Sequence, residues 1–218
     1  MKKIVKQVVG IDVAQKELVV CLGRMDDDWS PELYAGKSFI NNPKGCEALV
    51  SWVKKMTDPQ VGVRYVMEAT GVYHESLCYY LADKGYTLSV VLPNKISNYF
   101  RTLEVKTITD KTACEAITRF GLERKLDDWK RPDPIYKRLK QLTREREQLV
   151  QIRTMAKNQL HAEQSEAEPN KSSIARVQKQ IAFLNKQEQE IKAELQEWVK
   201  QDEQVKSTVK TICTLPGV

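Results

Sequence analysis

With 218 residues, 41% of them hydrophobic, the chain can bury a real core but exceeds the usual single-domain size, so one core domain with an extension, or two small domains, is expected. Lys and Arg outnumber Asp and Glu by 35 to 29, and a net charge of +6 with a pI near 9.0 favours polyanionic partners such as nucleic acid, while also fitting a basic soluble protein. Five scattered cysteines without C-x-x-C spacing argue against a disulfide framework or a zinc site, and the absence of a signal peptide or a run of about 18 apolar residues predicts a soluble, cytoplasmic protein with no membrane span.

Residues 4–13 are predicted to form the first strand. Its centre, Val8-Val9-Gly10-Ile11-Asp12-Val13, is an apolar run with one carboxylate near its end, and a buried charge is unfavourable unless something offsets it. Residues 14–16 read as a turn and 17–23 as a second strand, close enough to pair with the first. Asp26-Asp27-Asp28 beside Trp29-Ser30-Pro31 reads as a solvated loop rather than a metal cluster, and residues 37–40 complete a three-stranded meander. Asn42 then caps a helix with Pro43 at its first position, and Ala48, Leu49, Trp52 and Val53 supply its apolar stripe.

Residues 63–67 form a fourth strand that delivers Glu68 at its end, repeating the opening arrangement. A helix over 73–84 and a strand over 87–92 make a parallel crossover, so the domain is α/β with an antiparallel start. Residues 93–126 read as helical, with Thr109 capping a helix over 109–121. Asp110 lies in its first turn, where the helix dipole alone explains an acid.

Residues 127–134 read as a charged, proline-broken linker and the expected domain boundary. Beyond it, a helix over 135–164 carries Ile135, Leu139, Leu142, Leu149, Ala156 and Leu160 on one stripe, interrupted by Arg146 and Arg153. After a break at 168–172, Ile174, Val177, Ile181, Leu184, Ile191, Leu195 and Trp198 recur alternately three and four apart, with Glu188 in the one charged slot. This heptad seam predicts an antiparallel α-helical coiled-coil hairpin, with Glu188 facing Arg146 or Arg153. Such a hairpin serves to dimerise or to hold domains apart, but Lys137, Arg138, Lys140, Arg144, Arg146, Arg153 and Lys157 also offer a surface for phosphates. The final Leu215-Pro216-Gly217-Val218 suggests a turn into a further element.

If strands one and four are neighbours, Asp12 and Glu68 stand side by side, and a helix carrying Asp110 can pack across that sheet edge. Three such carboxylates suit Mg²⁺, a hard cation, whose charge would offset that of Asp12. Two ions about 4 Å apart would activate an attacking oxygen and stabilise a leaving one. An actin-like ATPase also begins on a strand-borne Asp, but the chain has no Gly-rich phosphate loop.

Gly10-Ile11-Asp12-Val13-Ala14-Gln15-Lys16, Met67-Glu68-Ala69-Thr70-Gly71-Val72-Tyr73, Val91-Leu92-Pro93-Asn94 and Lys106-Thr107-Ile108-Thr109-Asp110-Lys111-Thr112 resemble, in order and spacing, the motifs of the IS110/IS1111-type transposases. These are DEDD recombinases related to the Piv DNA invertases, and the resemblance runs to the final Leu-Pro-Gly-Val. It implies a ribonuclease-H-like, RuvC-like mixed sheet with flanking helices over 1–130, a coiled-coil hairpin over 131–205, and the start of a C-terminal transposase domain over 206–218. By resemblance, Asp12, Glu68 and Asp110 are catalytic ligands of Mg²⁺, with Mn²⁺ as a substitute. The family's fourth acid would fall at Ala113, and Glu115, about 140° around the helix from Asp110, is a poor replacement. The implied function is that of the N-terminal half of a DNA recombinase, which lacks the family's C-terminal serine nucleophile and performs metal-dependent phosphodiester cleavage and strand transfer. Implied partners are DNA, a structured guide RNA, and further copies of the chain, as dimer or tetramer through the hairpin. Two alternatives stay open: a Holliday-junction resolvase that cuts branched DNA unaided, and a catalytically incomplete nucleic-acid-binding remnant, which Ala113 would suit.

Overall fold

The computed structural model describes residues 3–69, 71–103 and 109–214. The chain divides into two compact units, Met1–Arg131 and Pro132–Val218.

The first unit is built on a five-stranded sheet. Strands β1 (Ile4–Val13), β2 (Glu17–Asp26) and β3 (Pro31–Ile40) form an antiparallel meander, while β4 (Val63–Glu68) lies parallel to β1 and β5 (Thr87–Val91) parallel to β4. The order β3-β2-β1-β4-β5 puts β1 at the centre, and this is the ribonuclease-H-like mixed sheet that the resemblance implies. Both faces of β1 are covered, which is why its sequence is a nearly continuous apolar run. Val9 and Ile11, with Leu18, Leu22 and Met67, pack against α1 (Pro43–Met56) and α2 (Glu75–Asp83). On the opposite face, Val8 and Val66 pack against α3 (Pro93–Phe100) and α4 (Asp110–Glu123). Each of these fully buried aliphatic side chains contributes roughly 1.5–3 kcal/mol relative to exposure.

Local signals start the helices where the sequence places them. The Asn42 side chain accepts the Gly45 N–H at 2.8 Å and Pro43 fills the first position of α1. Thr109 and Thr112 cap α4 reciprocally: each hydroxyl accepts the other residue's backbone N–H, at 3.2 Å from Thr112 and 2.8 Å from Thr109.

Two expectations change. β3 runs ten residues rather than four, because most of it lies on the exposed sheet edge and shows no apolar alternation. Residues 127–131, expected as part of a charged, proline-broken linker, are bonded to β4 and β5. The Trp129 N–H donates to the Leu88 carbonyl at 2.8 Å, the Ser89 hydroxyl donates to the Asp127 carbonyl at 2.7 Å, and Arg64 binds Asp128 at 2.7 Å. The strap covers what would otherwise be an open strand edge.

The second unit consists of α5 (Pro134–Gln164), α6 (Lys171–Gln201) and α7 (Glu203–Cys213). Helices α5 and α6 form an antiparallel hairpin, since Arg138 pairs with Glu194 at 2.7 Å while Arg146, further along α5, pairs with the earlier Glu188 at 3.2 Å. Leu142, Ala156, Val177, Leu184 and Ile191 are buried in the seam. Helix α7 follows a cap at Asp202, and the expected turn at Leu215-Pro216-Gly217-Val218 lies outside the described residues. No described helix is long and apolar enough to cross a membrane.

Candidate metal centre

The sheet register brings two of the three acids together. Ile11 pairs with Met67 across β1 and β4, so the next step of the parallel ladder puts Asp12 beside Glu68. Side chains alternate along a strand, so both acids share the face of Val8 and Val66, the face that α4 covers.

Helix α4 runs antiparallel to β1 and very close to it. Gly121 stands against Val8 and Val66, and Thr118 and Cys114 stand against Gly10. A Cβ added at Gly10 would fall 2.1 Å from Thr118 Oγ1, 2.6 Å from Thr118 N and 2.7 Å from the Cys114 carbonyl, so only glycine lets the helix lie this near. The Thr118 hydroxyl fastens the contact through the carbonyls of Cys114 at 2.7 Å and Cys21 at 3.2 Å. From Cys114, whose carbonyl also meets Gly10, one helical turn back to residue 110 advances about 6 Å. Two strand residues from Gly10 to Asp12 advance about 6.6 Å. The N-terminus of α4, with Asp110, therefore arrives over Asp12.

Electrostatics agree with this placement. Burial pushes the Asp12 carboxyl above its ordinary value, the charges of Asp110 and Glu68 push it further, and a hydrogen bond from the Val13 N–H opposes them. Among the described residues no cation pairs with Asp12. Asp12 and Glu68 are half-buried and Asp110 is exposed. Among the described residues, no three His, Cys, Asp or Glu side chains form a ready-made metal cage. The three acids thus share one sheet end within electrostatic range without being closed around an ion. Their donors are all hard oxygens, and among the described residues no cation offsets Asp12, so the chemistry of these acids suits a hard divalent cation.

The sequence model of the DEDD transposases of IS110 type, described as a transposase, matches residues 9–165. The chain belongs to the IS110-type DEDD transposase family. Two pilin gene-inverting proteins, from Moraxella bovis and Moraxella lacunata, are each 26% identical over 153 residues, covering 68% of this chain and 46% of theirs. The chain therefore spans about half the length of these curated relatives. Among solved structures, RuvC of Thermus thermophilus in complex with a Holliday junction substrate is 11% identical with a TM-score of 0.41, covering 56% of this chain and 99% of that one. The Fowlpox virus Holliday junction resolvase is 9% identical with a TM-score of 0.39, covering 54% and 98%.

In this member of the family the remaining expected residues separate. Ala113, in the position of the fourth family acid, offers no side-chain donor, and its N–H serves only the helix by bonding the Thr109 carbonyl at 2.8 Å. Glu115 lines a groove between α4 and β3, together with Val19, Cys21, Gly36, Ser38 and Lys111. On α5, Arg138 is engaged by Glu194, Arg146 and Arg153 by Glu188, and Lys137 is half-buried. Lys140, Arg144 and Lys157 are exposed. The basic set read from the sequence therefore holds two kinds of residue, those that lock the hairpin and those that face solvent. The groove residues Gly36, Ser38 and Lys111 were not singled out as site residues in the sequence, because nothing local brings them together.

Proposed function

We propose that this chain carries the catalytic half of a DNA transposase or site-specific recombinase. Residues 1–130 cut and transfer phosphodiester strands, residues 131–205 join subunits into a dimer or tetramer, and residues 206–218 lead into a further transposase domain. The observation that supports the reading is that Asp12, Glu68 and Asp110 lie within electrostatic range at one sheet end, with no cation beside Asp12 among the described residues. Mg²⁺ or Mn²⁺ held by these acids would supply polarisation of the phosphate and activation of the attacking oxygen. Strand β1 and the close-packed α4 hold the acids on rigid elements, as a site of this kind requires. The exposed Lys140, Arg144 and Lys157 suit the backbone of DNA or of a structured guide RNA, and the chain acts in the cytoplasm.

The test is calorimetric titration of this chain with Mn²⁺ and Mg²⁺, together with cleavage of duplex and four-way-junction DNA, for the wild type and Asp12→Asn. The substitution is expected to weaken metal binding at least about a hundredfold and to abolish cleavage. Metal binding unchanged in Asp12→Asn would overturn the site. Robust cutting of junctions alone by the wild type would favour the resolvase reading, and metal binding without any cleavage would favour a remnant that Ala113 has disabled.

A further inference from the structure

The acid site leaves unused a groove between α4 and β3 with a volume of about 540 Å³. Its floor continues the sheet row of Asp12, because Asp12 stands opposite Val19 and Val19 opposite Ser38. At about 4.8 Å between strands, Ser38 lies two strands and roughly 10 Å from Asp12. That is about three stacked nucleotides at the 3.4 Å rise of one strand.

The next row along the floor is Gly10, Cys21 and Gly36. A Cβ added at Gly36 would meet only the Val20 carbonyl, at 3.4 Å, so nothing stands above this position. Val19, Cys21 and Gly36 give a low, mostly apolar floor, and among the residues that line the groove with them are the polar Ser38, Lys111 and Glu115, beside Tyr34 and Lys37. A mainly apolar slot with a few placed polar groups suits a flat heterocycle better than a bare phosphate, which Glu115 would repel. Glu115 is an acceptor, and acidic side chains accept from the exocyclic amino group of cytosine, where thymine presents a carbonyl oxygen.

We propose that this groove receives one unpaired nucleotide of the DNA strand that enters the acid site, with its base on the floor. Glu115 accepts from an exocyclic amino group, Ser38 bonds the base edge, and Lys111, next to Asp110 in the first turn of α4, pairs with the flanking phosphate. The inference rests on reading the three acids as a phosphodiester-cleaving site.

The test measures binding of short single-stranded oligo-dC and oligo-dT to the full 218-residue chain by fluorescence anisotropy, without divalent metal. The wild type is expected to favour oligo-dC about tenfold, and Glu115→Ala to erase that preference. Gly36→Phe fills the floor and is expected to weaken both oligonucleotides at least about tenfold while the protein melts as the wild type does. Ser38→Trp fills the same groove from the next position on that face and keeps the test intact if Gly36→Phe disturbs β3. Folded Gly36→Phe and Ser38→Trp proteins that bind both oligonucleotides like the wild type would overturn the groove as a strand site, and equal affinity of the wild type for the two would overturn the role of Glu115. Because these readings need no metal, they fail or succeed separately from the Asp12→Asn titration.

Discussion

Glu188 in the hairpin seam and Asp12 at the end of β1 are both carboxylates drawn out of water, and the protein treats them in opposite ways. Glu188, with 5% of its side chain exposed, is surrounded by cations: Lys192 at 3.0 Å, Arg146 at 3.2 Å, and Arg153. The hydrogen bond from Lys192, joined by Arg153, holds its carboxyl at about 2. Asp12 meets burial and two like charges against a single backbone hydrogen bond from Val13, with no cation beside it among the described residues, and its carboxyl is pushed upward. The hairpin neutralises its acid from within, whereas the sheet end leaves its acid to be neutralised by something that binds. An acid of the first kind supports architecture and one of the second kind marks a site.

The largest effect should come from removing the structural acid. Glu188→Ala leaves Arg146 and Arg153 without their shared partner in a partly desolvated seam, and the lost pairing exceeds any gain from packing a smaller side chain. Thermal melts of helical circular dichroism should show the hairpin melting well below the wild type, with Glu188→Gln in between because it keeps an acceptor. Melts that coincide for all three proteins would show that the ion cluster does not hold the hairpin together.

Acid should reproduce that loss in the wild type. The Glu188 carboxyl is depressed in the folded chain, so its contribution is complete above its ordinary value of 4.5 and disappears as pH falls toward about 2. A pH series of the same melts should decline across that window for the wild type and be flatter for Glu188→Gln. A wild-type series that is flat across the window would remove the cations' claim on Glu188.

The two regions also differ in how much their sequences disclosed. The hairpin seam was legible as heptad spacing, which is local, but the engagement of Glu188 by Arg146, Arg153 and Lys192 together was not, because it depends on the register between two helices. Strands β1 and β4 were legible as apolar runs ending in acids, and the caps of α1 and α4 as Asn42-Pro43 and Thr109. What joins Asp110 to Asp12 was not, because it depends on Gly10 meeting Thr118 and Cys114 more than a hundred residues later. In the sequence Gly10 is one glycine in an apolar run, and its closeness to a helix appears only when both elements are folded. The same holds for the groove, where Gly36 and Ser38 on an exposed edge strand gain meaning only from Lys111 and Glu115 above them. The extent of β3 and the strap over β5 escaped for a related reason, since exposed edges carry no alternation to read.

The smallest effect separates the two acids most sharply, because its sign is opposite. A carboxyl raised in the folded state opposes folding once it is ionised, so at neutral pH the charge on Asp12 works against the metal-free chain, and protonation as pH falls relieves it. Asp12→Asn should therefore raise the melting temperature of the metal-free protein at pH 7, by about 2 °C for a chain of this size. Saturating Mg²⁺ should reverse the ranking, since a cation that binds only the folded wild type stabilises it in proportion to the logarithm of its concentration over Kd, while the variant has little affinity to use. Melts with and without Mg²⁺ at pH 7 check both halves. If Asp12→Asn instead lowers the metal-free melting temperature, Asp12 is a compensated structural acid like Glu188, and the contrast between the sheet end and the hairpin fails.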